Sequence, residues 1–174
     1  EVALKDQPIS VQIAATPSTV APCDQVHLRL TGTAPEPDVH DKLYRYVMVT
    51  TMDPALTDRQ VRRVWIDTGA STVALTRGRD WTSRVDARSH AVVIDLTESG
   101  LARLARTRSD NPRVRVEAEV VATASCQSVE GRRLTMSVGL FPDGWQPPTD
   151  LGRITDTAAS TAQTSVLVDR KSVV

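Results

Sequence analysis

The chain has 174 residues, enough for one domain with a proper core, and its 21 basic and 21 acidic groups cancel. That balance, with no basic cluster interleaved with aromatics, argues against a nucleic-acid partner. No apolar run approaches the ~18 residues that a membrane span requires, so no membrane insertion is expected in this segment.

Residues 9–14 (ISVQIA) alternate and run into a turn at Thr16-Pro17-Ser18. Residues 25–31 (QVHLRLT) place Val26, Leu28 and Leu30 on one face and Gln25, His27 and Arg29 on the other, a period of two that predicts a half-buried strand. Residues 34–38 (APEPD) hold two prolines and read as a loop or an edge. Strands follow at 43–51 and 61–66, with Asp67-Thr68-Gly69 as the turn after the second.

Residues 72–76 lead into a turn at Arg77-Gly78-Arg79, then a short strand at 80–85 and a buried one at 91–96. The helical signal is confined to one short turn near residues 97–107: Thr97 suits an N-cap, Glu98 the first turn, and Leu101 and Leu104 share a face. Asn111-Pro112 breaks it, and strands are expected at 113–123 and 133–140. Strands at short intervals without a βαβ rhythm imply an all-β antiparallel sandwich of immunoglobulin-like type. The domain is placed at residues 1–141; residues 142–174 are expected to be a linker with a final strand, or the donor strand of a neighbouring domain, at 163–169.

Cys23 and Cys126 lie 103 positions apart, a spacing unsuited to a clustered metal site. They are either a disulfide formed in an oxidising compartment or two separate buried thiols; their polar, turn-like surroundings favour the disulfide. Such a bridge would contribute at most about 4–5 kcal/mol by loop entropy.

The stretch LTRGRDWTSRVD followed by VVIDLTESGLARLA resembles the pilin-type, isopeptide-class domain of Gram-positive surface fibres and adhesins. In that pattern Gly78, Asp80, Trp81, Leu96, Gly100, Leu101, Leu104, Val114 and Val116 fill the matching places, and the likeness extends over about residues 20–140. Gly78 allows the turn, Trp81 is an apolar anchor, and Leu101 with Leu104 closes one end of the sandwich. The resemblance implies a non-enzymatic structural or adhesive module of a secreted or cell-surface protein. Its partners would be neighbouring fibre domains or subunits, or a host or matrix protein or glycan.

The family often crosslinks a Lys to an Asn or Asp in its core. Here Lys is scarce (Lys5, Lys42, Lys171) and Asn111 is the sole Asn, so Lys5 would have to use an Asp such as Asp143. The Cys23–Cys126 bridge is the expected substitute staple. The chain opens at Glu1 without a signal-peptide pattern, the expectation being a mature or trimmed segment whose anchor lies elsewhere.

Two other readings stand beside this one. Asp67-Thr68-Gly69-Ala70-Ser71 resembles the active-site triplet of retroviral-type aspartic proteases, which would demand a homodimer sharing a proton between two copies of Asp67. The alternative for the triplet is a hairpin turn. The third reading is an accessory carbohydrate- or protein-binding module of a secreted enzyme. His27, His40 and His90 lack metal-ligand spacing, Asp53, Asp58, Asp80, Asp86 and Asp95 form no ordered calcium loop, and the arginines between 103 and 113 read as a solvated face. No metal and no cofactor are expected.

Overall fold

The computed structural model describes residues 8–169, and Lys5 and Lys171 fall outside them. The strands are β1 (Val11–Thr16), β2 (Thr19–Val20), β3 (Gln25–Thr33), β4 (Tyr46–Met52), β5 (Leu56–Asp67), β6 (Thr72–Leu75), β7 (Trp81–Asp86), β8 (Ala91–Leu96), β9 (Arg115–Ala124), β10 (Arg133–Pro142) and β11 (Ser160–Val168). Helix α1 spans Glu98–Asp110 and α2 spans Ile154–Thr157. One sheet is ordered β1-β3-β9-β5-β6 and the other β2-β11-β10-β4-β8-β7. All pairings are antiparallel except β11 with β2. The all-β sandwich expected from the strand rhythm is the fold observed.

The alternation in the sequence explains the packing. Val26, Leu28 and Leu30 of β3 are buried while His27 and Arg29 face solvent. They meet Val116, Ala118, Val120 and Ala122 of β9 and, from the opposite sheet, Met48, Leu134, Met136 and Val138 in one apolar core. Burial of such side chains contributes about 1.5–3 kcal/mol each and dominates the stability of the sandwich.

The helix differs from its expectation. It runs for 13 residues, past 107, because Asn111 is where the backbone turns extended and its amide closes on the Thr107 and Arg108 carbonyls. The polar end of α1 still packs: Arg108 is buried and its Nε donates to the Ala34 carbonyl at 3.2 Å. Strand β5 is also longer than residues 61–66, because register shifts between Thr57 and Gln60 and between Val61 and Arg63 interrupt its alternation.

After β10 the chain crosses the outer face of the second sheet. Leu151, in a 3-10 turn at Leu151–Arg153, and Ile154 of α2 join Val47, Val49, Ala91, Val93 and Phe141 in a second apolar cluster. Strand β11 then pairs with eight positions of β10, and Val166 and Val168 enter the main core. Among the described residues no helix is long and apolar enough to cross a membrane.

Candidate functional site

The turn between β6 and β7 is built on Gly78, whose φ of +86° is open to glycine at little cost. Its amide donates to the Trp81 carbonyl at 2.7 Å, and the Asp80 amide to the Thr76 carbonyl at 2.7 Å. This places the Asp80 carboxylate, 0% exposed, against the start of α1. There Oδ1 accepts from the Ser99 hydroxyl at 2.8 Å, while Oδ2 accepts from the Thr76 amide at 2.8 Å and Arg103 Nη1 at 3.0 Å. Burial opposes ionisation of this carboxyl. The Thr76 amide, the Ser99 hydroxyl and the Arg79 guanidinium outweigh it and hold the pKa down to about 2.

The backbone joins the same knot. The Thr97 amide donates to the Asp80 carbonyl at 3.0 Å, and the Thr97 hydroxyl caps α1 by accepting from the Gly100 amide at 3.2 Å. A Cβ at Gly100 would lie 2.0 Å from the Asp80 carbonyl oxygen, so only glycine fits this approach. Trp81 is buried, donates from Nε1 to the Leu75 carbonyl at 3.2 Å, and shares the core with Leu101 and Leu104. Gly78, Asp80 and Trp81 are therefore joined to the start of α1, whose Leu101 and Leu104 share the core with Trp81. Sequence reasoning missed Ser99 and Arg103, because an acceptor and donors 19 and 23 positions apart leave no periodic signal.

The second crosslink is covalent. Cys23 and Cys126 form a disulfide with their Cα atoms 4.4 Å apart. Around it the Cys23 amide donates to the Ala124 carbonyl and the Ala124 amide to the Asp24 carbonyl, each at 2.9 Å. The bridge thus clamps the end of the β3–β9 ladder, whose last pair is Gln25 with Thr123.

No protein-family profile matches the chain, and no curated protein matches it. Solved structures do. The fimbrial protein FimP from Actinomyces oris superposes with a TM-score of 0.71 at 21% identity, over 94% of this chain and 38% of that one. The fold is that of a Gram-positive pilin domain. The Actinomyces fimbrial adhesin FimA follows at a TM-score of 0.67 and 17% identity, over 90% of this chain and 56% of that one. The major pilin SpaD from Corynebacterium diphtheriae gives 0.60 at 12% identity, over 91% and 34%. The chain therefore spans about a third to a half of these relatives' length, and its likeness to them is one of fold.

Within this pilin-type fold the remaining candidates take up turn and surface positions. Asp67 sits at the β5–β6 hairpin, where Oδ1 accepts from the Gly69 amide at 2.8 Å and the Thr68 amide donates to the Ser71 carbonyl at 3.0 Å. The Gly69 amide and a hydrogen bond with Glu117 hold the Asp67 carboxyl below the usual range, whereas burial and that same bond push Glu117 up. Asp53 and Asp86 close their own turns in the same way, onto the amides of Ala55 at 2.9 Å and Arg88 at 3.1 Å. His27 lies 3.6 Å from Glu119 on the exposed face of β3. Asp143 accepts from the Tyr44 and Arg45 amides at 2.8 and 2.6 Å, and Asn111 donates to the Thr68 carbonyl at 2.7 Å. Among the described residues no three of His, Cys, Asp and Glu converge as a metal site.

Proposed function

We propose that this chain is a non-enzymatic structural or adhesive module of a secreted or cell-surface bacterial protein. On this reading it is seated among neighbouring domains or subunits of a fibre and meets a host or matrix protein or glycan through its outer faces and loops. The observation that carries the reading is the Cys23–Cys126 bridge within a pilin-type sandwich. A closed loop of 103 positions cannot extend when the chain is pulled from its ends, which suits a module held under load. The bridge also requires an oxidising compartment, in keeping with export. FimP is a fimbrial protein and FimA a fimbrial adhesin, and their shared architecture supports the same class of work.

The test is surface labelling of the producing bacterium with an antibody raised against the folded domain. Intact cells should label as strongly as permeabilised ones, and cells lacking the gene should adhere less to immobilised matrix protein or glycan. Labelling that appears only after permeabilisation would remove the proposal.

A further inference from the structure

Among the described residues strand β7 has a strand partner on one side only and so lies at an edge of its sheet. Between β7 and β5 lies a pocket of about 390 Å3 whose lining includes Arg59, Gln60, Val61, Arg77, Ser83 and Val85. The bulge in β5 makes this pocket what it is. Asp58 has a φ of +51°, and the register with β9 slips between Thr57 and Gln60. Leu56 and Val61 both face the core although an odd number of positions separates them, so the extra residue is absorbed between them. Bulges re-aim side chains in this way, and here the residue delivered to the pocket is Arg59.

Arg59 is an anomaly. Its Nε is buried and has no hydrogen-bond partner among the described residues. The side chain as a whole is half-buried, and that partial burial lowers its pKa. Buried donors in folded proteins are hydrogen-bonded, and an orphaned guanidinium nitrogen calls for an acceptor. Arg77 lines the same pocket. It lies 4.3 Å from the centre of the Trp81 ring and donates through Nη2 to the Val61 carbonyl, contacts that fix its plane and leave other donors of the fork open. Among the described residues no acidic side chain lines the pocket. Arg84 also lines the pocket but is different, because its charge already acts on Asp86 and Asp95.

We infer that the pocket between β5 and β7 binds an oxyanion group, a carboxylate, sulfate or phosphate, held between Arg59 and Arg77 with the Ser83 hydroxyl as a further donor. Planar guanidinium forks match such groups in a bidentate manner, and a desolvated fork does so more strongly than a hydrated one. The inference stands independently of the surface role proposed above.

The full chain is titrated with sodium sulfate, phosphate and acetate against chloride at constant ionic strength, following backbone amide shifts at residues 59–61 and 83–85. Saturable shifts confined to these segments are expected with at least one of the three anions. Affinity should fall at least tenfold in Arg59→Gln and in Arg77→Gln, fall less in Arg59→Lys, which keeps the charge but not the fork, and hold in Arg84→Gln. Unchanged amide shifts in β3 and β9 certify that each variant is folded. Non-saturable shifts, or an Arg59→Gln loss no larger than that of Arg84→Gln, overturn the site. A sulfated monosaccharide provides the second arm. Binding tenfold tighter than free sulfate supports the site with a carried anion as its ligand, and equal binding supports it with the free ion.

Discussion

Asp80 holds a negative charge where water does not reach, and its neighbours decide whether that is a cost or a gain. One backbone amide, one hydroxyl and two guanidiniums meet its oxygens, so the charged form is favoured in the folded state. With a folded pKa of about 2 against an ordinary 3.8, this stabilisation is complete above about pH 4 and is lost as pH falls towards 2. Because Arg79 and Arg103 are partly exposed, the contribution is about 2 kcal/mol, below the 3–5 kcal/mol of a fully buried broken pair. Asp80→Asn should therefore lower stability by about 2 kcal/mol at pH 6, and the gap to wild type should narrow between pH 4 and pH 2. Urea denaturation at pH 6, 4 and 2.5 measures it, and a gap that does not change with pH would show that the charge is not the stabilising element. Gly100 sets a second test at this scale. Alanine is the better helix former by about 1 kcal/mol, yet its Cβ would lie 2.0 Å from a backbone oxygen that α1 is bonded around. Overpacking of that kind costs about 1–3 kcal/mol, so Gly100→Ala should lower the melting temperature by several degrees. A higher melting temperature in calorimetry would show that the close approach relaxes without cost.

At the scale of elements, α1 is held at its start by Asp80 and along its length by Leu101 and Leu104. Leu104 is fully buried, and Leu104→Ala should cost about 3 kcal/mol, within the range for buried leucines. Thr97→Ala should cost about 1 kcal/mol through loss of the cap; equal losses for the two substitutions in guanidinium unfolding would mean that capping rather than packing holds the helix. These elements also show what local pattern can and cannot reveal. Strand β3 was legible because its alternation is uninterrupted, and the start of α1 because Thr97 and Glu98 are helix-entry chemistry. The end of α1 was not, since Thr107 to Asp110 are polar and only tertiary contact shows that Arg108 is buried. The first half of β5 was hidden by its own bulges, and β2, with two residues, is too short to have a period. The same holds at the site: Gly78, Asp80 and Trp81 carry local signals, whereas Ser99 and Arg103 become partners only once α1 docks.

For the whole molecule, the bridge divides the chain into a closed part and two open arms. Cys23 and Cys126 enclose β3 to β9 and α1, leaving β1 and β2 before the loop and β10 and β11 after it. The arms hold to each other and to the closed part through ladders, β10 to seven positions of β4, β11 to eight of β10, β1 to six of β3 and β2 to two of β11, and through core side chains such as Leu134 and Val166. Tension applied at both ends is carried through these ladders first and then across the sulfur–sulfur bond, bypassing everything between the cysteines. Single-molecule pulling of the oxidised chain should therefore release only the arms. In reductant the same chain should lengthen by a further ~350 Å, from 103 positions at about 3.4 Å each. Cys23→Ser with Cys126→Ser should reproduce the long extension without reductant. Equal extension in the oxidised and reduced chain would show that the bridge lies outside the path of force, and the mechanical part of the proposed role would fall with it.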